Sequence, residues 1–440
     1  MIQLKQLKAS EILYKLRCFH MIFTKVVVIG GGFGGLNVIQ PLRKANLDIL
    51  LIDKKNHHLF QPLLYQVASA ALSPADIATP LREILSTQKN TAVIMGTVEK
   101  IEKENKRLIL ASGDIVSYDY LVVAAGASHS YFGNDEWESF APGLKTISDA
   151  LKIREKILVS FEQAERTDSI SEAEKFLNFV IIGGGPTGVE MAGSIAEIAH
   201  KTLFKNFRRI NPGKSKIYLV EAAPRVLPPF PEKLSAKAKK ALEKMGVRVV
   251  TGELVTNVTK EGAQVGDDFI PARNIIWAAG NQAAPLLKTL DIPLDRQGRV
   301  VVEPDLTVPD HPEIFIIGDA ACAFGKDKKP LPATAPVAIQ QGRYVSKLIK
   351  KQIQKKKRRP FRYFDKGSIA TIGTNKAVGY MGKILMSGFL AWLTWGFIHV
   401  FYLVSYRSRS TVMLNWVYHY MTGLRGARLI HKALDEDEKK

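Results

Sequence analysis

GGGFGG at Gly30 to Gly35 and GGGPTG at Gly183 to Gly188 are two copies of one fingerprint, and their reading decides the fold. Each meets the GxGxxG spacing, through Gly30, Gly32 and Gly35 in the first copy and Gly183, Gly185 and Gly188 in the second. Each follows a β-branched run, Lys25 to Ile29 (KVVVI) or Phe179 to Ile182 (FVII), and precedes a helix-compatible stretch. In such a strand–turn–helix unit the first glycine permits the tight turn, the second lets backbone approach a pyrophosphate and the third lets helix pack on strand. The phosphates then meet free N–H groups at the helix N-terminus. One glycine-rich turn is weak evidence, but two in matching contexts imply two dinucleotides and an α/β fold.

The residue closing the second strand of each unit reports on the ribose. Asp53 ends Leu47 to Ile52 (LDILLI), eighteen positions after Gly35, and Glu221 ends Lys216 to Val220 (KIYLV), thirty-three positions after Gly188. The first spacing is close to the usual ~20. A helix prolonged through His200 and Phe207 is expected to absorb the excess in the second. A carboxylate at this position accepts from a 2′-hydroxyl and repels a 2′-phosphate, which favours NADH over NADPH. Arg225 nearby keeps NADPH open.

With 440 residues, 46% of them hydrophobic, the chain holds two or three folded domains. Its only cysteines, Cys18 and Cys322, exclude a disulfide framework and a CxxC redox pair. No cysteine–histidine cluster suggests a metal. The net charge of +20 points to an anionic partner, nucleic acid or an anionic membrane surface. Eight basic residues and no acid occur between Lys347 and Arg359.

Leu385 to Tyr406 (LMSGFLAWLTWGFIHVFYLVSY) contains no charged residue and as a helix would approach the thickness of a bilayer. Against spanning, Trp392, Trp395, His399, Tyr402 and Tyr406 recur at helical spacing, and such side chains favour the headgroup level. Arg407 and Arg409, the aromatic stretch Val412 to Met421, and Arg425 and Arg428 follow. Helices lying in the interface, with arginines on the phosphates, explain this pattern best, and a true span or a buried homodimer surface are the alternatives. Residues 1–23 form an extension without the features of a signal peptide.

A repeat runs through the chain. Val93 to Ile101 and the strands around Ser112-Gly113-Asp114 read as a meander leading to Tyr120 to Gly126 (YLVVAAG), and Val255 to Val265 leads likewise to Asn274 to Gly280 (NIIWAAG). Glu162 to Glu174 reads as a connector between domains. Ile314 to Ala321 (IFIIGDAA) then delivers Gly318-Asp319 at the end of an apolar strand, where open α/β sheets bind ligands.

Taken together, these motifs resemble the flavoprotein reductases with two Rossmann-like dinucleotide-binding domains, over roughly residues 24–345. Asn56 to Ala68 (NHHLFQPLLYQVA), Gly183 to Glu190 (GGGPTGVE), Ala335 to Gln341 (APVAIQQ) and the aromatic C-terminus are similar to one branch, the type II NADH dehydrogenases. The resemblance implies FAD on the first fingerprint (Gly30, Gly32, Phe33, Gly34, Gly35), with Asp53, Lys54, Val98, Ala125 and Gly126. Gly318 and Asp319 would contact the same flavin, and Ala338 and Ile339 would offer it backbone N–H groups. It implies NADH on Gly183, Gly185, Pro186, Thr187, Gly188, Glu221 and Gly280.

Within this resemblance Glu190 positions nicotinamide and delivers protons, and Gln340 joins it as catalytic. Tyr65, Gln66 and Gln341 face a membrane quinone. Pro336 replaces the first glutamine of the branch's AQxAxQ pattern, which removes any quinone contact through that side chain. The implied domains are 24–160 and 283–345 for FAD, an inserted NADH domain at 175–282, and a membrane-attachment region at 346–440. The implied activity is a non-pumping NADH:quinone oxidoreductase, peripheral or monotopic on the cytoplasmic side of the inner membrane, binding the anionic surface through 347–359 and 385–428.

Rivals differ in specific features. A sulfide:quinone reductase needs reactive cysteines, and a soluble reductase does not need residues 385–421. A non-enzymatic flavoprotein or nucleic-acid binder needs basic residues interleaved with aromatics, whereas here the two are separate.

Overall fold

The computed structural model describes residues 24–430, so the expected extension 1–23 lies outside the described residues. The chain forms two compact units, each made of three separated segments. One combines residues 24–58, 80–128 and 282–364; the other combines 59–79, 129–281 and 365–430. Segments 59–79 and 129–160, expected in the FAD domain, therefore belong to the second unit, and 346–364 belongs to the first.

The first unit is built on a six-stranded sheet. Strand Thr24–Ile29 pairs in parallel with Leu47–Asp53 on one side and Tyr120–Val123 on the other. Thr91–Met95 extends the sheet beyond Leu47–Asp53, and His311–Ile316 extends it beyond Tyr120–Val123. Val26, Val27 and Val28 are fully buried, as the apolar central strand of a sheet covered on both faces must be. The meander is Val98–Glu102, Arg107–Leu110 and Ile115–Ser117. Residues 93–95, expected to open this meander, instead lie in the main sheet, because Met95 is the register partner of Asp53.

The second unit repeats the plan. Asn178–Ile182 lies between Lys216–Glu221 and Asn274–Trp277 in a four-stranded parallel sheet edged by Val247–Thr251. Its meander is Val255–Thr259, Gly262–Val265 and Asp268–Pro271. Matching order and direction around each fingerprint confirm the repeat read from the sequence.

Two expectations about connections fail. The stretch Glu162 to Glu174 is no loose connector, since helix Ile147–Arg166 runs through its start and helix Ile170–Leu177 through its end. Thr146 and Asp149 close a capping box that fixes the start of the first helix. The helix after the second fingerprint, Pro186–Glu197, does not reach Phe207. It ends in one wide turn at Ile198–Thr202, and irregular chain takes up the remaining length before Lys216.

At the C-terminal end of this unit, Ser368–Thr371, Ala377–Met381 and Ile384–Gly388 form an antiparallel sheet, followed by helices Phe389–Tyr402 and Tyr406–Thr422. The apolar run from Leu385 is thus divided between a strand and a helix. Among the described residues no helix is long and apolar enough to cross a membrane.

Candidate functional site

In the first fingerprint each glycine has its own cause. Gly30 has φ +98°, and a Cβ there would strike the Ala124 carbonyl. A Cβ at Gly35 would strike the Gly30 carbonyl, whereas one at Gly32 would meet nothing within 4 Å. The turn is closed on the inside and open where a phosphate belongs. Asp53 accepts from the Gly31 N–H at 2.6 Å and from the Lys55 N–H at 2.7 Å, so its carboxylate is fixed beside the turn. Phe33 packs edge-on against His58, whose Nδ1 lies 3.0 Å from the Gly31 carbonyl. Lys54 is exposed, Val98 is buried at the start of the meander, and Ala125 and Gly126 follow their strand half-buried, Gly126 with φ +70°.

Elsewhere in this unit, helix Ala335–Lys350 packs on helix Phe33–Ile39, where Gly342 leaves room for the Gly34 carbonyl. Gln341 is fully buried and its Oε1 accepts from the Gly318 N–H at 2.6 Å. Gly318 has φ +69°, and Asp319 beside it is half-buried.

The second fingerprint repeats these features. Gly183 has φ +108° against the backbone of Ala278, a Cβ at Gly188 would strike the Gly183 carbonyl, and Gly185 faces open space. Glu221 accepts from the Gly184 N–H at 2.5 Å and the Ala223 N–H at 2.8 Å, just as Asp53 does in the first copy. Pro186 and Thr187 open the helix, and proline suits its first turn because that N–H has no partner in a helix. Gly280, with φ +71°, lies against the Ser130 carbonyl. The Arg225 guanidinium donates to the Phe230 and Pro228 carbonyls and the Ser235 hydroxyl.

Two residues beyond this fingerprint, Glu190 is half-buried, and desolvation pushes its carboxyl up to about 8 against a smaller opposing effect of the Thr371 N–H. The carboxyl is therefore protonated at neutral pH. Thr371 Oγ1 lies 2.9 Å from the Tyr65 hydroxyl. Burial, with the Glu190 charge second, pushes the Tyr65 phenol well above its usual range. Gln66 Nε2 donates to the Tyr65 oxygen at 3.0 Å, and Trp416 Nε1 donates to Gln66 Oε1 at 2.7 Å. Further along the same helix, Glu197 forms a buried ion pair with Arg425 at 3.1 Å and accepts from the Thr374 N–H and hydroxyl.

Comparison with known proteins follows this geometry closely. The pyridine nucleotide-disulphide oxidoreductase family matches residues 24–342, and the NDH2 C-terminal domain matches residues 366–425. The type II NADH:quinone oxidoreductase NdhA of Mycobacterium tuberculosis is 45% identical over 423 residues, covering 92% of this chain and 89% of its own. The chain belongs to the type II NADH:quinone oxidoreductases. A second such enzyme of the same organism is 43% identical, over 91% of this chain and 89% of its own. NDH2 of Plasmodium falciparum, solved in complex with NADH, superposes with a TM-score of 0.84 at 23% identity, covering 93% of this chain and all of that one. The sulfide:quinone oxidoreductase of Aquifex aeolicus shares the fold less closely, with a TM-score of 0.71 over 88% of this chain and 92% of that one.

FAD and NADH are the cofactors of this type II family. The first unit fits a flavin dinucleotide on its own chemistry. Its turn is open only at Gly32, and two fully buried side-chain nitrogens, His58 Nε2 and Gln341 Nε2, lack a protein partner among the described residues. Buried polar atoms need partners, and a ligand rich in oxygen and nitrogen supplies them.

Several of the expected site residues take part in hydrogen bonds of the fold. Gln340, expected to be catalytic, clamps the backbone of Phe364 through both ends of its amide. Gln341, expected to face the quinone, holds Gly318 from inside the fold. Ala338, expected to donate its N–H to the flavin, already donates to the Thr334 carbonyl, and Ile339 follows it inside the helix. The Tyr65 hydroxyl is held between Thr371 Oγ1 and Gln66 Nε2. Arg425 is bound to Glu197 and the Ser69 carbonyl, not free for lipid, and Arg358 is bound to Asp305 and the Pro312 carbonyl. Sequence reading missed Glu197, although an acid inside the apolar run Met191 to Ala199 already demands a buried partner.

Proposed function

We propose that the first fingerprint holds FAD and the second NADH, that hydride passes from NADH to FAD, and that a membrane quinone takes up the two electrons without proton pumping. When bound, the flavin supplies the two-electron chemistry, while the protein supplies binding, orientation and electrostatics. Glu221 accepts from the nicotinamide-side dinucleotide's ribose, and the helix start at Pro186 and Thr187 takes its pyrophosphate. Asp53 does the same work for the first site. Glu190, protonated at neutral pH, positions nicotinamide and holds a proton ready. Glu221, with Arg225 otherwise engaged, favours NADH over NADPH.

The observation that carries this reading is the duplicated turn, closed by glycine contacts and flanked by a fixed carboxylate in both copies. The test is NADH oxidation by detergent-purified protein with and without a short-chain quinone. Flavin absorbance and quinone-dependent turnover are expected; absence of either overturns the reading.

Membrane attachment follows from the C-terminal helices. Phe397 is 75% exposed, Leu414 69% and Met421 79%, and together with Leu390, Phe401 and Val417 they make an apolar surface that water does not favour. Trp392 stacks on Tyr420 within the same pair of helices. Helices of 14 and 17 residues are too short to span but suit the headgroup boundary. The exposed lysines Lys355 to Lys357 add attraction to anionic lipid. The use of NADH and the basic charge support attachment on the cytoplasmic face of the inner membrane. If the same surface instead pairs two copies of the chain, sizing in detergent-free buffer reports a homodimer.

A further inference from the structure

A left-handed backbone is rare in bulky residues, because there the Cβ crowds the following carbonyl. Among the described residues Leu227 adopts it at φ +50°, Leu306 at φ +68° and Phe132 at φ +54°. The two leucines are buried, at 0% and 1% exposure, so the packing of their side chains holds them there. Phe132 is 68% exposed, and burial of its ring cannot be what holds its backbone.

The neighbours of Phe132 impose the conformation. Trp277 Nε1 donates to the Ser130 carbonyl at 3.0 Å, and the Ser130 hydroxyl accepts from the Phe132 N–H at 3.3 Å. Tyr131 is buried, its hydroxyl donates to the Ala141 carbonyl at 2.9 Å, and its own carbonyl accepts from the Asn134 N–H at 3.1 Å. Gly133, at φ +95°, continues the turn. The residues on either side are thus tied to the fold while one phenyl ring is turned outward. Strain held in place by its surroundings is a mark of functional sites.

The ring has a definite address. A Cβ at Gly280 would lie 2.7 Å from Phe132 Cζ, so the phenyl rests on the strand-end loop Ala278 to Gly280, and glycine is needed there to admit it. That loop is level with the second fingerprint, because Ile182 and Trp277 are register partners and a Cβ at Gly183 would strike the backbone of Ala278. The ends of three adjacent parallel strands, at Glu221, Gly183 and Ala278, therefore lie side by side, about 5 Å from one to the next. This is the edge of an open α/β sheet along which a dinucleotide lies. Glu221 takes the adenosine ribose at the first strand and the glycine turn takes the pyrophosphate at the second. The other ribose and its base must then pass out over the third strand, where Phe132 stands in the same unit.

We propose that Phe132 is a substrate-binding residue for NADH: its exposed ring stacks against the nicotinamide half of the dinucleotide held by the second fingerprint. Nicotinamide is a flat ring, and an exposed phenyl offers it an offset or edge-on partner. The outward turn of the backbone presents the ring before substrate arrives. The inference rests on the assignment of NADH to the second fingerprint.

The test uses full-length, FAD-loaded protein and two ligands that do not reduce the flavin, NAD⁺ and ADP-ribose, which lacks the nicotinamide. Their dissociation constants are measured by calorimetry in the parent and in Phe132→Ala, Phe132→Tyr and Phe132→Gly, with the melting temperature of each. Phe132→Ala should weaken NAD⁺ by about tenfold and leave ADP-ribose within about twofold, as loss of one aromatic stack predicts. Phe132→Tyr, which keeps the ring, should bind both ligands like the parent. Phe132→Gly should lose the same NAD⁺ affinity yet melt no earlier than the parent, since glycine accepts the left-handed backbone freely. Parental NAD⁺ affinity in Phe132→Ala, an equal loss for both ligands, or a Phe132→Tyr as impaired as Phe132→Ala overturns the role of the ring. A Phe132→Gly that melts well below the parent makes the ring a structural element and overturns it too. A parent that binds neither ligand overturns the assignment of the second fingerprint, and this inference with it.

Discussion

Glu190 makes the pH behaviour of the molecule predictable. Its folded carboxyl is raised to about 8 from an ordinary value of 4.5, so over that interval the folded state binds more protons than the unfolded one. Stability contributed by this group is complete below the unfolded value and is lost as pH rises through the folded one. Denaturant midpoints of the parent should therefore fall as pH climbs through this window, and Glu190→Gln should flatten that fall. Equal slopes in the two proteins would contradict the burial described here.

The two fingerprints offer a second residue-scale prediction. Gly35→Ala and Gly188→Ala each drive a Cβ into a carbonyl of the same turn. The first should be purified without flavin colour. The second should keep its colour but lose bleaching by NADH, as read by absorbance. These glycines and the acids Asp53 and Glu221 were legible in the sequence because their roles depend on backbone within the same local unit. The hydrogen-bond partners of Gln340, Gln341 and Ala338 were not. What decides them is which backbone group each meets across the fold, and Phe364, Gly318 and Thr334 are not implied by any local spacing.

Among elements, the pair Phe389–Tyr402 and Tyr406–Thr422 shows where an apolar run misleads. Read as one stretch, Leu385 to Tyr406 is long enough to span a bilayer. Gly388, at φ +79°, lets the chain turn from strand into helix, and Leu403 ends that helix in extended backbone. Composition revealed the apolar character of this region but not these breaks. Phe397→Glu combined with Leu414→Glu should reduce co-sedimentation with anionic vesicles by tenfold or more, at ~25 cal/mol per Å² of apolar area withheld from lipid. Flavin content should be preserved, and binding of the parent should weaken in salt. Undiminished binding of the double variant would place the attachment elsewhere.

Across the whole molecule, each unit gathers three distant segments, and the second is tied shut by Arg425 and Glu197, whose side chains are 2% and 5% exposed. Arg425→Ala strands a buried carboxylate, a change that typically costs about 3–5 kcal/mol. Thermal unfolding of this variant should begin earlier, and the partner change Glu197→Gln should recover part of the loss. The repeat and the insertion of one dinucleotide unit into the other were legible from the sequence. The assignment of 59–79 and 129–160 was not, because contact partners, not sequence neighbours, determine it.

The Arg425–Glu197 pair also sets a timetable for biosynthesis. Its members are 228 residues apart, so at ~5–20 residues per second a ribosome needs on the order of ten to fifty seconds between making one and making the other. Throughout that interval the nascent second unit holds a carboxylate in its apolar helix without its partner. The first unit is complete at residue 364 and is free to mature first. Slow synthesis or early termination near the 3′ end of the message would then leave a chain with one finished unit and one waiting, a substrate for chaperones or proteases.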